Sequence, residues 1–172
     1  GSAEVSLWEL VNAYRTLANA GQWSALTLSS NAQTKKIPLL DAGASFIISD
    51  ILADRSARSI TFGLENPLAT TYWSAAKTGT SKDMRDNWCI GFSRRYTVGV
   101  WVGNFNGQPM QDVSGVTGAA PVWLSLMNAL NARSKQKDPI SVPTTLLQTN
   151  VSFEQNIEAA RSEWFIDGTQ TS

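Results

Sequence analysis

Thr71-Tyr72-Trp73-Ser74-Ala75-Ala76-Lys77-Thr78-Gly79-Thr80-Ser81 opens on aromatic, β-branched and small residues and contains no proline. That composition predicts a strand over 71–76 leading into Lys77-Thr78-Gly79, with the triplet at the strand end. Two more stretches of the same character follow, Asn87-Trp88-Cys89-Ile90-Gly91-Phe92 and Tyr96-Thr97-Val98-Gly99-Val100-Trp101-Val102. The short polar link Ser93-Arg94-Arg95 between them reads as the turn of an antiparallel hairpin. Three consecutive strands therefore form a meander, and the rest of the chain is arranged around it.

A lysine followed by a turn glycine is, in most chains, a solvated lysine, so Lys77 needs a reason to be singled out. A phosphate-binding loop does not provide one. That loop needs glycine directly before the lysine, and Ala76 stands there.

Composition removes several kinds of chemistry. The 172 residues are 42% apolar and 16% charged, enough for one domain with a real core. There is no histidine, so a Ser-His-Asp triad, a Cys-His pair and a histidine-containing zinc site cannot be built from these residues. Neither a metal nor a cofactor is expected. Cys89 is the single cysteine, so no intrachain disulfide forms, and its place in a strand predicts a buried thiol rather than a nucleophile. Fourteen basic residues balance fourteen acidic ones, with no cluster larger than pairs such as Lys35-Lys36. Nucleic acid is thus not an expected partner. The longest apolar runs, such as Phe46-Ile47-Ile48, fall far short of the ~20 residues that cross a bilayer, so an export signal or anchor is expected outside this stretch.

Helices flank the meander. Ser6-Leu7-Trp8-Glu9 is a capping box, after which Leu7, Leu10, Val11, Tyr14, Leu17 and Ala18 recur at helical spacing until Asn19-Ala20-Gly21 stops the helix. Residues 22–38 are polar and irregular apart from a short strand expected over Ala25-Leu26-Thr27-Leu28. Asp41 caps a second helix to about Ala53, with Ala44, Ile47, Ile48, Ile51 and Leu52 on its apolar side. Arg55 and Arg58, in the link that follows, read as solvated. Asn106-Gly107 marks a turn, and Pro121 suits the first turn of a third helix carrying Trp123, Leu126, Met127 and Leu130. From 138 onward five acidic residues face one basic residue, Arg161, and prolines stand at 139 and 143. The expected division is one unit over 1–137 and, over 138–172, a linker or the start of a following domain with one short helix around 154–161.

Lys-Thr-Gly is also a signature of serine acyl-transfer enzymes that handle D-Ala-D-Ala or β-lactams. The segment from Trp73 to Ser81, then Asp86 to Phe92, then Val98 to Asn104, resembles in order and spacing the C-terminal half of a class A penicillin-binding protein transpeptidase domain. Glu4-Val5-Ser6-Leu7 with Leu10-Val11-Asn12-Ala13-Tyr14, and Gly115-Val116-Thr117-Gly118-Ala119-Ala120-Pro121, extend the resemblance over roughly residues 1–135. The wording Lys82-Asp83-Met84-Arg85-Asp86-Asn87-Trp88 is most similar to the 1C subtype. The resemblance implies a mixed α/β (α+β) fold, a mainly antiparallel sheet flanked by helices, incomplete at its N-terminal side because three of five strands are present. It further implies a bifunctional parent, a serine-type D,D-transpeptidase preceded by a peptidoglycan glycosyltransferase domain and held at the periplasmic side of the bacterial inner membrane.

By the same resemblance, Lys77 is the catalytic and carboxylate-binding cation. Thr78, Gly79, Thr80 and Ser81 complete the substrate-binding strand, and the backbone N–H of Thr80 is one oxyanion donor. The expected partners are peptidoglycan stem peptides, β-lactam antibiotics and the missing N-terminal half of the domain. Self-association through an exposed edge of the Tyr96–Val102 strand is also expected. The family's Ser-x-x-Lys and Ser-x-Asn motifs are not in their proper places. Ser74-Ala75-Ala76-Lys77 and Ser29-Ser30-Asn31 spell them in the wrong order, and one lysine cannot serve both motifs. The piece alone is therefore expected to be catalytically inactive. A reversible peptide- or β-lactam-binding or partner-docking module is the alternative, and a β-lactamase would need a base for which no equivalent is apparent.

Overall fold

The computed structural model describes residues 4–29, 31–56, 67–133, 139–152 and 159–170. At its centre lies an antiparallel meander of β3 (Ala75–Thr80), β4 (Asp86–Phe92) and β5 (Thr97–Gly103), with β4 in the middle. The register pairs Thr78 with Cys89 and Cys89 with Val100, and pairs Lys77 with Ile90 and Ile90 with Gly99. Because strand side chains alternate, these rows define the two faces of the sheet. The first strand starts later than its β-propensity indicates: residues 71–74 are not strand, and Lys77-Thr78-Gly79 lies inside β3. The Thr70 hydroxyl, bonded to the Tyr72 carbonyl at 2.5 Å and to the Ser74 hydroxyl at 2.9 Å, turns the chain before it enters the sheet.

On the Cys89 face, α3 (Ala120–Asn131) inserts Trp123 and Met127, both fully buried, against Ala76, Cys89 and Val100. Gly91 makes this approach possible, since a Cβ there would lie 2.6 Å from the Trp123 ring, 2.5 Å from the Ala75 carbonyl oxygen and 2.8 Å from the Ala76 Cβ. Leu126 and Leu130, expected on the packed side, are exposed. On the opposite face α1 (Leu7–Ala18) crosses β5, and a Cβ on Gly99 would meet Val11 at 2.3 Å. The capping box is formed as expected, with Glu9 N–H donating to Ser6 Oγ and Ser6 N–H to the Glu9 carboxylate. The most buried residues of α1 are nonetheless polar. Asn12 donates to the Ser24 carbonyl, and Thr16 bonds back to the Asn12 carbonyl.

Asp41 caps α2 (Ala42–Ala53) through the Ala44 N–H. The buried side of α2 is Gly43, Ser45, Phe46 and Ser49; of the expected face Ala44, Ile47 and Leu52 are half-buried and Ile48 and Ile51 exposed, so the packed side is rotated from the expected one. Small residues permit close approach, and the Ser45 and Ser49 hydroxyls satisfy themselves on carbonyls four residues earlier. The strand expected at 25–28 falls instead on β1 (Gln22–Trp23), paired with β2 (Ile37–Pro38).

Towards the C-terminus, β6 (Leu146–Val151) and β7 (Arg161–Ile166) form an antiparallel pair of their own. The pair rests on α2 through an edge-on contact of Phe46 with Trp164 at 5.6 Å. The helix expected around 154–161 lies mostly outside the described residues, and Arg161 begins β7. Arg58 and Ser30 are outside them as well.

Gly91→Ala should lower the unfolding free energy by about 1–3 kcal/mol in a urea titration, the usual cost of forcing a methyl into a filled core. A second prediction concerns Asp50 on α2, whose carboxyl is pushed above its ordinary value of 3.8 by burial and then by the charges of Asp54 and Glu163. A carboxyl raised in the folded state opposes folding once ionised. Asp50→Asn should therefore stabilise at pH 7, by no more than about 0.5 kcal/mol for so exposed a group. The gain should fade as the pH falls through the raised pKa and be gone below 3.8, as paired melting curves would show.

Candidate functional site

β3 is an outer strand of the meander, and its far side pairs with no strand among the described residues. Which groups face that edge follows from the ladder. Ser81 N–H donates to the Asp86 carbonyl at 2.9 Å, so Ser81 turns its backbone polar groups toward β4. Backbone groups alternate along a strand, so the N–H and C=O of Thr80 and Thr78 point to the unpaired edge. Consistent with this, the Lys77 ammonium bends to the Thr78 carbonyl at 2.6 Å. Lys77 is exposed, and its ammonium has no carboxylate partner among the described residues. A cation on the α1 face, the Thr78 and Thr80 hydroxyls on the α3 face and outward N–H groups between them thus border one open edge.

The neighbouring side chains have distinct tasks. A Cβ on Gly79 would touch only Trp88, at 3.7 Å, so the chain's own packing does not demand glycine there. The bare Cα instead leaves space for something approaching from outside. Thr80 Oγ1 accepts the Gly115 N–H at 2.9 Å and keeps its own proton to donate. Gly115 opens a short π-helical turn (Gly115–Ala119) whose backbone sits against the strand, and a Cβ there would come within 2.7 Å of the Gly79 carbonyl oxygen.

Ser81 is committed to the fold. Its hydroxyl donates to Asp86 Oδ2 at 2.9 Å and accepts the Asp86 N–H at 2.9 Å, while Asp86 Oδ1 accepts the indole N–H of Trp101 at 2.9 Å. This clasp closes the tight connection from β3 to β4, in which Asp83 and Met84 take φ of 60° and 56°. Each costs on the order of 1 kcal/mol or more in this conformation, so the turn relies on the bonds that flank it.

A groove of ≈ 400 Å³ runs beside the strand, lined on one side by Val5, Leu10 and Tyr14 and on the other by residues 77–81, Trp88 and Ile90. Leu10 and Tyr14, read from periodicity as core, here form a wall, and burial, then the Cys89 thiol, pushes the Tyr14 phenol above its ordinary value. A slightly larger hollow of ≈ 440 Å³ lies between α1 and the segment carrying Trp23, Leu39 and Leu40, and it includes none of residues 77–81.

Ser74 is buried with its hydroxyl on Thr70, and three residues along an extended chain its side chain faces away from that of Lys77. Ser29 and Asn31 are exposed in a turn distant in sequence from the strand. Among the described residues no group of three or more acidic, cysteine or histidine side chains could hold a metal ion, and no helix is long and apolar enough to cross a membrane. Sequence reasoning missed Asp86, Trp101 and Gly115, whose contacts span 5, 15 and 35 residues and leave no local pattern.

No family model matches the chain. In sequence it is 30% identical, over 99% of its length, to penicillin-binding protein 1C of Escherichia coli, of which it spans 23%. It is 31% identical over 83% of its length to penicillin-binding protein 1A of Clostridium botulinum, of which it spans 18%. In structure, all of it superposes on 33% of penicillin-binding protein 1A from Haemophilus influenzae with a TM-score of 0.78 at 17% identity. The chain thus covers about a quarter or less of these two relatives' sequences.

Asp86→Ala should remove the carboxylate from the clasp and leave the Trp101 N–H and the Ser81 O–H without their acceptors, while the backbone N–H of residue 86 still donates to Ser81 Oγ. A loss of about 1–3 kcal/mol is expected in denaturant unfolding, together with faster amide exchange confined to residues 81–86. Unchanged exchange there would show that the turn does not depend on the carboxylate.

Proposed function

The chain corresponds to the C-terminal part of a penicillin-binding protein transpeptidase domain, most like the 1C subtype, and on that premise we propose that it supplies the substrate-binding strand of a serine acyl transferase. The substrate is a peptidoglycan stem peptide, and β-lactams trap the acyl-enzyme. The observation that carries this reading is the open edge of β3, where Lys77, Thr78 and Thr80 stand together beside a groove. A peptide ending in D-Ala-D-Ala adds along that edge as an extra strand. Lys77 and the hydroxyls of Thr78 and Thr80 hold its terminal carboxylate by charge-assisted hydrogen bonds. Gly79 admits the ligand backbone, and the outward N–H of Thr80 donates to the oxygen that becomes negative in the tetrahedral intermediate. Ser81 acts through the turn it closes.

In the reaction a serine oxygen bonds to the penultimate D-Ala carbonyl carbon, the C–N bond to the terminal D-Ala breaks, and that residue leaves as the free amine. The acyl group then passes to the amine of a neighbouring stem. No step calls for a metal or cofactor. Since Ser74 and Ser81 are both engaged elsewhere, the nucleophile comes from the part of the domain that the longer relatives carry. By itself this chain holds ligands reversibly. Residues 1–137 belong to the transpeptidase domain and 138–172 to a linker or the start of a following unit, a division supported by the composition shift and by the separate β6–β7 pair. The parent protein also carries a glycosyltransferase domain and works at the periplasmic side of the inner membrane. β5, the outer strand opposite β3, receives the missing strands in the parent and offers an edge for self-association in the isolated chain.

Incubation of this chain with excess benzylpenicillin should give no acyl adduct by intact mass. Adding the N-terminal half of the domain should restore an adduct on that half, and Lys77→Ala should abolish it while leaving the circular dichroism unchanged. An adduct on Ser74 or Ser81, or labelling that survives Lys77→Ala, would overturn the assignment.

A further inference from the structure

Ser114-Gly115-Val116-Thr117 is tied to itself before it touches the strand. The Ser114 N–H donates to Thr117 Oγ1 at 2.9 Å, the Thr117 N–H to Ser114 Oγ at 3.4 Å and the Gly118 N–H to the Ser114 carbonyl at 2.7 Å. This reciprocal clamp opens the π-helical turn, a rare backbone form that recurs at functional sites. It leaves the Gly115 N–H pointing out of the turn, where it donates to Thr80 Oγ1 at 2.9 Å. The place of Gly115 sets the direction of that bond. Its Cα lies over the seam between β3 and β4, since a Cβ there would come within 2.7 Å of the Gly79 carbonyl oxygen, 2.8 Å of the Trp88 carbonyl oxygen and 3.1 Å of the Gly79 nitrogen. Thr80 Oγ1 therefore accepts from the β4 side. Thr117 is itself exposed, and among the described residues its hydroxyl bonds only to Ser114.

A hydroxyl that accepts an N–H rotates its own proton away from that donor. The Thr80 proton is thus turned from the seam toward the unpaired edge of β3, where the proposed function places the ligand's carboxylate. Resting on that reading, we propose that Ser114 and Thr117 are positioning residues: through Gly115 they aim the Thr80 O–H at the open edge, which makes Thr80 a determinant of selectivity for a terminal carboxylate over the corresponding carboxamide. A carboxylate offers two acceptor oxygens, one for the Lys77 ammonium and one for the aimed proton. A carboxamide offers one, and must turn its NH2 toward a donor. Lys77 attracts any anion, whereas the fixed hydroxyl adds a direction.

The probes are N-acetyl-D-Ala-D-Ala and its C-terminal carboxamide, titrated into the chain while the backbone amide signals are followed by NMR. The acid should bind more tightly than the amide. Thr117→Val, which keeps the shape of an exposed side chain and removes its hydroxyl, should shrink that preference about two- to tenfold, the share of one ordinary hydrogen bond, and should move the Gly115 amide signal. Thr117→Ser should retain the full preference. In a Thr80→Val background, Thr117→Val should change nothing further, because its effect passes through the Thr80 hydroxyl. A preference untouched by Thr117→Val, one lost equally in Thr117→Ser, or one that falls as much without the Thr80 hydroxyl as with it, overturns the positioning role alone. If the acid binds no better than the amide in the unaltered chain, or binds undiminished after Lys77→Ala, the carboxylate-binding reading of the strand fails and this inference falls with it.

Discussion

Two absent side chains on the strands of the meander determine how the helices meet the sheet. Gly91 on β4 makes room for the Trp123 indole on one face, and Gly99 on β5 makes room for Val11 on the other. With both faces covered by close approach, β4 becomes the most buried strand, and its neighbour β3 is fixed in register while remaining open on its outer side. An outer strand whose position is dictated from behind presents its backbone groups without having to move. The open edge can therefore act as a preorganised template, and this is the property that peptide binding by strand addition requires.

The site is supported in the same indirect way. Lys77, Thr78 and Thr80 do not hold one another, apart from the reach of the lysine to the next carbonyl. Their positions are set by Gly115, which anchors Thr80 from beneath, and by Asp86, which ties the end of the strand to Trp101. Polar groups on the open edge are left available because others take up the structural work.

Local signals in the sequence were read well where the physics is local. The Ser6–Glu9 capping box, the Asp41 cap, the hairpin after Phe92 and the Asn106-Gly107 turn each depend on residues within a few positions of one another. Where tertiary packing competes, the reading failed. The apolar stripe of α2 pointed to Ile48 and Ile51, but the helix buries its serine and glycine side, since closeness of approach outweighed hydrophobicity. The β-propensity of Thr71 and Trp73 lost to the hydrogen bonds of Thr70. The polar tail concealed β6 and β7, whose exposed faces give little hydrophobic alternation. Lys77 to Ser81 were legible as a motif, whereas the residues that hold them in place come from distant parts of the chain.

Cys89 lies fully buried on the central strand, against the residues that α3 covers. A thiol reagent can reach it only when α3 lifts from the sheet, so its rate of modification measures the opening equilibrium of the whole core. With one cysteine in the sequence, the protein carries an internal gauge of its own cooperativity, read without any introduced label.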